Sequence, residues 1–130
     1  MGTIMDFQAY GKNAKSALVK SVEIIKKLET LFSLKIETSE ISRLNKNKFL
    51  KVSNETDELL KEALLLSQKT NSVYDLSIGA LTDLWDIKSI KKQIKKIPQK
   101  YEIEQALKTC GYKNVQYDND NNYRLINNTK

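Results

Sequence analysis

Histidine is missing from this 130-residue sequence, and cysteine, proline and tryptophan occur once each. Without histidine the chain cannot supply a Ser-His-Asp triad, a histidine ligand for zinc or the usual proton shuttle of neutral pH. The lone Cys110 excludes an internal disulfide, and no apolar run approaches the roughly 20 residues of a membrane span. Any chemistry must therefore use carboxylates, amides, hydroxyls or lysines. The first ten residues lack the pattern of a secretory signal, so we expect a cytoplasmic protein.

Length and charge set the next limits. With 40% hydrophobic and 29% charged residues, the chain can form one compact domain with a modest core, which we assign to residues 1–130. The net charge of +6 fits an anionic partner such as nucleic acid, a membrane surface or a phosphorylated cofactor. The same charge could equally reflect a general bias toward lysine in the proteins of the source organism. Composition alone leaves these alternatives open.

Apolar residues at steps of three and four predict three helices. The first helix buries one face, formed by Ala14, Leu18, Val22, Ile25, Leu28 and Phe32. The second begins with Asn54 as its cap and runs to about Thr70. Its apolar face consists of Leu60, Ala63, Leu64 and Ser67, widened by Leu59 and Leu66. The third spans residues 101–110 and stops at Gly111.

Three short segments have the residue mix of strands. Residues 3–10 come before a turn at Gly11, while residues 114–117 and 123–126 flank an Asp-Asn-rich turn and predict a terminal hairpin. We therefore predict an α+β fold in which helices pack on a small mixed or antiparallel sheet, built from the first strand and the hairpin.

A lysine-rich segment, residues 88–100, places isoleucines on one helical side and lysines elsewhere before Pro98 ends it. Such a helix could lie on nucleic acid or on an anionic membrane. No arginine or aromatic residue is interleaved, so a solvated insert is the simpler interpretation and no nucleic-acid partner is expected.

Two segments have the polar composition of a binding site. Residues 39–45, Ser-Glu-Ile-Ser-Arg-Leu-Asn, predict a short helical turn whose Ser39, Glu40 and Asn45 either form the lip of a site or cap a helix. Residues 71–87 break the helical period, with Gly79 in their middle and Trp85 near their end.

These segments resemble, in the same order, landmarks of the ApbE family of FAD:protein FMN transferases. Residues 1–3 match its opening Met-Gly-Thr, and residues 39–45 are similar to its Ser-Glu-Leu-Ser-Arg-Leu-Asn. Residues 74–81, Tyr-Asp-Leu-Ser-Ile-Gly-Ala-Leu, followed by Leu84-Trp85, resemble its Phe-Asp-Pro-Thr-Val-Gly-Pro-Leu followed by Leu-Trp-Gly-Phe. Pro98, a helix and Gly111-Tyr112 resemble its spacer before a central hairpin.

The resemblance implies an enzyme that moves the FMN half of FAD to a threonine of a target flavoprotein, with magnesium. A membrane-associated target is compatible with it. The family's later Gly-rich segment and its magnesium-binding acidic segment have no counterpart in this sequence, so no metal ligand is assigned here. The alternatives are a non-catalytic FAD-binding fragment or an FAD pyrophosphatase-like remnant that needs a second chain, and a small basic binding module unrelated to flavin.

By the same resemblance, FAD-binding residues are predicted at Met1, Val73, Tyr74 and Asp75. Asp75 has the alternative of a turn or cap residue, and Tyr74 either stacks on a ring or joins the core. Trp85 is interpreted mainly as a packing residue. Where the family places an aromatic residue after Ser33, this chain has Lys35, which can pair with a phosphate but cannot stack.

Overall fold

The structure, a computed structural model, describes residues 4–86 and 97–130. In chain order its elements are α1 (Ala14–Phe32), α2 (Glu40–Asn47), β1 (Phe49–Lys51), α3 (Asn54–Lys69), α4 (Gly79–Leu84), α5 (Lys100–Leu107), a 3₁₀ turn (Tyr112–Asn114), β2 (Val115–Asp118) and β3 (Asn122–Leu125). The α+β prediction is confirmed. Most of the predicted lysine-rich helix, residues 88–96 of 88–100, lies outside the described residues.

The chain divides into two compact units, Met1–Arg43 and Leu44–Lys130. In the first, α1 has the predicted bounds, but none of its residues is buried. The predicted face is only partly covered in this chain. Val22 is exposed, and the other five residues of the face, Ala14, Leu18, Ile25, Leu28 and Phe32, are half-buried. The strand predicted at residues 3–10 is also wrong for its described part, residues 4–10, which are irregular. A strand needs a hydrogen-bonded neighbour, and the described sheet draws all its strands from the second unit.

The second unit is built on a three-stranded antiparallel sheet in the order β1-β3-β2. The predicted terminal hairpin is confirmed as β2 and β3. The third strand is β1 instead of the predicted first segment, and its Leu50 lies opposite Tyr123 on β3. A compact core surrounds this sheet. Its buried apolar side chains are Leu44, Leu50, Val52, Leu60, Val115, Tyr123 and Leu125.

A polar chain anchors Tyr123 inside this core. The fully buried Tyr123 donates its hydroxyl hydrogen to Asp57 Oδ1 at 2.9 Å, and Asp57 Oδ2 accepts from Lys61 Nζ at 2.8 Å. The Lys61 ammonium also lies 4.6 Å from the centre of the Tyr117 ring. Burial, followed by the Asp57 carboxylate, raises the pKa of Tyr123 well above its ordinary value. The phenol therefore stays protonated as a donor.

This raised pKa predicts a pH-dependent stability. A group whose pKa is raised on folding contributes stability that is complete below its unfolded pKa, here near the ordinary 10.0, and is lost as the pH rises above it. We expect the free energy of unfolding to fall more steeply above about pH 10 in the wild-type chain than in Tyr123→Phe. Urea unfolding at several pH values measures both slopes, and parallel slopes would contradict the assignment.

The N-cap of helix α3 lies one residue earlier than predicted. Ser53, and not Asn54, is the N-cap, because the Ser53 side chain accepts a hydrogen bond from the Thr56 N–H. The predicted inner face is confirmed at Leu60 and Ser67, which are buried. The prediction that Leu59 and Leu66 widen this buried face is wrong, since both side chains are exposed.

The cap assignment can be tested with two neighbouring substitutions. Ser53→Ala removes the acceptor for the first turn of α3 and is expected to lower the free energy of unfolding by about 1 kcal/mol. Asn54→Ala, the matched control, removes only an exposed bond from the Asn121 side chain and should cost less than about 0.5 kcal/mol. Urea denaturation measures the free energy of unfolding of both variants. A larger decrease for Asn54→Ala than for Ser53→Ala would show that Asn54 is the N-cap.

Candidate functional site

The candidate site is the connection between α3 and α4, residues 70–78, which we call the α3–α4 loop. Asn71 and Ser72 leave the helix with left-handed φ angles of 49° and 66°. The Thr70 hydroxyl oxygen then accepts from the Tyr74 N–H at 3.1 Å. Asparagine tolerates this conformation better than most residues, so the local sequence favours a sharp exit from α3.

Asp75 lies at the centre of a hydrogen-bonded group that we call the Asp75 clamp, formed by Asp75, Ser77, Gly111 and Tyr112. Asp75 Oδ1 accepts from the Ser77 N–H at 2.8 Å and from the Ser77 hydroxyl at 2.5 Å. Asp75 Oδ2 accepts from the Tyr112 N–H at 2.9 Å, and Ser77 Oγ accepts from the Gly111 N–H at 2.8 Å. The clamp thus joins the α3–α4 loop to the turn that follows α5.

The clamp shows that Asp75 has the turn role that was its alternative in the sequence. Both carboxylate oxygens are bonded to protein donors, and Ser77 is only 1% exposed. The FAD-binding role of Asp75 stays a prediction. Sequence reasoning missed Ser77, Gly111 and Tyr112, although the Asp-Leu-Ser spacing is typical of a side chain that bonds to the backbone two residues on.

Val73 and Tyr74 immediately precede the clamp and present their side chains to solvent. Val73 is 92% exposed and Tyr74 is 42% exposed. The core alternative for Tyr74 is therefore not what the structure shows. An exposed tyrosine ring beside an exposed isopropyl group offers a surface on which a planar ring can stack.

Trp85 follows α4, the helix that comes after the α3–α4 loop. It is the C-cap of the helix and, like Tyr74, 42% exposed, so the structure does not show it as a core residue. Its position on a six-residue helix, with Asp86 in a left-handed conformation after it, leaves part of the indole uncovered. As the one tryptophan in the sequence, Trp85 provides a single fluorescence signal.

The C-terminal residues pack under the start of α4. The buried Thr129 donates its hydroxyl hydrogen to the Thr109 carbonyl at 2.6 Å, and its own carbonyl accepts from Lys48 Nζ at 2.8 Å. Lys130 Nζ forms an ion pair with Asp83 at 2.9 Å. Burial, with a smaller contribution from the charge of Lys130, lowers the pKa of Lys48. These bonds hold the segment against α4.

Gly79, the first residue of α4, is needed at this contact because a β-carbon there would lie 2.7 Å from Lys130 Cβ and 3.0 Å from the Lys130 carbonyl oxygen. Gly79→Ala is expected to destabilise the chain by about 1 kcal/mol, because the clash outweighs the better helix propensity of alanine. Thermal unfolding measures the loss. Adding Lys130→Gly should recover part of it, and an unchanged melting temperature for Gly79→Ala would contradict the close contact.

Of the other predicted site residues, Lys35, Ser39 and Glu40 belong to the first unit, Asn45 belongs to the second, and Met1 lies outside the described residues. Lys35 is exposed, and its N–H bonds to Ser33 Oγ at 3.2 Å. Ser39 is buried and caps α2, since its hydroxyl accepts from the Ser42 N–H at 3.0 Å and donates to the Ser33 carbonyl at 2.7 Å. Met1 is not among the described residues. The FAD-binding roles of Met1 and Lys35 stay predictions.

A shallow groove of about 370 Å³ lies between α3 and β2 and was not predicted. It is lined by Lys61, Leu64, Leu65, Gln68, Tyr112, Lys113, Val115 and Tyr117. Tyr112 connects it to the Asp75 clamp.

Within residues 4–86 and 97–130, no group of three or more Cys, Asp or Glu side chains is placed to hold a metal ion. In the same residues, no helix combines the length and apolar character needed to cross a membrane.

Comparison with known proteins decides the family. The sequence profile of the ApbE family matches residues 1–130. The chain belongs to the ApbE family. A crystal structure of the ApbE protein from Thermotoga maritima is 29% identical with a TM-score of 0.83, and the match covers 95% of this chain and 40% of that one. A comparison with curated proteins gave no match.

Two further ApbE structures share the fold at lower identity. The apo form of the Pseudomonas stutzeri flavinyl transferase ApbE is 20% identical with a TM-score of 0.77, covering 94% of this chain and 42% of that one. The flavin transferase ApbE from Vibrio cholerae is 21% identical with a TM-score of 0.74, covering 90% and 39% respectively. This chain therefore spans about 40% of the length of the solved ApbE structures that it matches.

Proposed function

We propose that this chain supplies an FAD-binding part of an FAD:protein FMN transferase, and that the α3–α4 loop receives the dinucleotide. The observation that carries the proposal is the ApbE match over residues 1–130, which includes the loop. The exposed Val73 and Tyr74 side chains on that loop support it, because they offer an apolar and aromatic surface for a planar ring.

The reaction proposed for the whole protein is a phosphoryl-type transfer. The hydroxyl oxygen of an acceptor threonine attacks the FMN phosphorus of FAD, and the bond from that phosphorus to the bridging oxygen breaks. The bridging oxygen leaves with AMP, and the threonine proton is released. Such a reaction depends on positioning of the pyrophosphate and neutralisation of its charge. This chain would contribute the positioning.

Magnesium is expected from the family resemblance, where it would neutralise pyrophosphate charge. The described residues provide no cluster of ligands that fits it. We therefore assign no step of the reaction to a metal held by residues 4–86 or 97–130. A second candidate function is a non-catalytic FAD-binding fragment that needs a second chain for activity.

An FAD titration tests the proposal, with quenching of Trp85 fluorescence as the readout and flavin anisotropy as an independent measure. We expect saturable binding of FAD and, in a parallel incubation with magnesium, no release of AMP from the chain alone. Release of AMP would favour the complete enzyme. Absence of FAD binding together with tight, salt-dependent DNA binding would overturn the proposal in favour of a basic binding module.

A further inference from the structure

The Asp75 clamp couples parts of the second unit that are distant in sequence. Ser77 Oγ donates to Asp75 and accepts from the Gly111 N–H, across 34 sequence positions. Asp75 Oδ2 reaches the Tyr112 N–H across 37 positions. Ser77 is buried, so its hydroxyl serves the connection between loop and turn and offers no surface to a ligand.

The carboxylate of Asp75 has little capacity left for a ligand. An ionised carboxylate accepts about four hydrogen bonds, and protein donors already occupy three of these positions in Asp75. Hydrogen bonds to a charged acceptor are stronger than neutral ones, so a ligand that displaced them would release the loop from the turn. The bonding pattern is that of a residue that fixes backbone geometry.

The two side chains before Asp75 have the opposite character. Val73 and Tyr74 are exposed, and the Tyr74 N–H is held by the Thr70 hydroxyl on one side while the clamp holds Asp75 on the other. The backbone of Tyr74 is thus held through its own N–H, the side chain of the next residue is held by the clamp, and the Tyr74 side chain is 42% exposed. A ring held in this way loses less conformational entropy when a planar ligand stacks on it.

We propose that Asp75 is a positioning residue: through Ser77, Gly111 and Tyr112 it fixes the α3–α4 loop so that Val73 and Tyr74, and not its own carboxylate, contact the ring system of FAD. The inference rests on the proposed function, because it assigns roles within the same site. It predicts that a buried hydroxyl, which cannot touch FAD, controls FAD affinity.

Substitutions at Ser77 test this prediction directly. In equilibrium titrations of the full chain, Ser77→Ala is expected to weaken FAD binding about tenfold, as for one lost buried hydrogen-bond partner. Ser77→Thr retains the hydroxyl and should remain within about threefold of wild type. Asp75→Asn keeps only one acceptor oxygen, so its amide nitrogen faces either the Ser77 N–H or the Tyr112 N–H, and binding should weaken similarly. The double variant Asp75→Asn with Ser77→Ala should lose little more than either single variant.

Two outcomes would overturn the positioning role. If Ser77→Ala binds FAD like the wild type while Asp75→Asn loses affinity, the Asp75 carboxylate contacts FAD itself. If Ser77→Thr loses as much affinity as Ser77→Ala while its Gly111 exchange stays like that of the wild type, the hydroxyl is not the operative group. Tyr74→Ala is the comparison for a direct contact, and it should weaken FAD binding while leaving the clamp intact.

Amide hydrogen exchange without FAD separates this inference from the proposed function. Ser77→Ala should speed exchange at Gly111 by about tenfold or more, with no change at the β2–β3 amides, whereas Tyr74→Ala should leave Gly111 unchanged. Unchanged exchange at Gly111 in Ser77→Ala refutes the clamp whatever the FAD result. A wild-type chain that fails to bind FAD refutes the proposed function, and the exchange at Gly111 then decides the clamp alone.

Discussion

Replacing Tyr123 with alanine is expected to lower the free energy of unfolding by about 3–5 kcal/mol. Tyr123 is fully buried, lies opposite Leu50 on β1 and Tyr117 on β2, and bonds to Asp57 on α3. Its removal leaves a cavity where the strands meet the helix and also deprives the buried Asp57 of a donor. Urea denaturation followed by circular dichroism measures the loss.

Tyr117→Ala is the matched control for this substitution. Tyr117 lies opposite Tyr123 in the hairpin, with ring centres 5.2 Å apart, but it is 44% exposed. Because water already reaches much of its surface, we expect its loss to cost about 1 kcal/mol. Equal losses for the two tyrosines would contradict the view that the core is centred on Tyr123.

Replacing Asp75 with alanine is expected to destabilise the chain by about 3 kcal/mol, because three donors lose a charged acceptor at once. Those donors are the Ser77 N–H, the Ser77 hydroxyl and the Tyr112 N–H. Ser77 is buried, so water does not readily replace the lost acceptor. Chemical denaturation monitored by Trp85 fluorescence reports both global unfolding and any earlier release of the loop.

An exposed aspartate provides the comparison for Asp75. Asp118 at the end of β2 accepts only the N–H of the neighbouring Asn119, at 2.9 Å and in contact with solvent. Asp118→Ala should therefore cost less than about 1 kcal/mol. If Asp75→Ala were equally mild, the clamp bonds would contribute little to the fold.

The long helices could be predicted from the sequence because their signals are local. The spacing of apolar residues predicted both ends of α1, and the spacing in α3 predicted the length of that helix to within one residue. What the period could not give was burial, which depends on what packs against the helix, as the exposed Val22 shows. Strand β1 was missed because three residues carry no period, and Phe49–Lys51 is a strand only through its pairing with β3.

The sequence could indicate which residues form the candidate site, but it could not indicate how their side chains are arranged in space. The order of motifs predicts residues 73–75 as FAD-binding, and this choice stays a prediction. The partners of Asp75 could not be predicted, because the Tyr112 N–H is 37 positions away and a backbone donor has no sequence signature. Ser77 was within reach of local reasoning, since an aspartate two residues before a serine commonly forms this turn.

Amide chemical shifts of the isotope-labelled chain during an FAD titration test most directly whether FAD binds at the α3–α4 loop. We expect saturable shifts at Val73 and Tyr74, and in the indole signal of Trp85, while the β2–β3 amides stay unchanged. Shifts confined to other parts of the chain, or none at saturating FAD, would contradict the account.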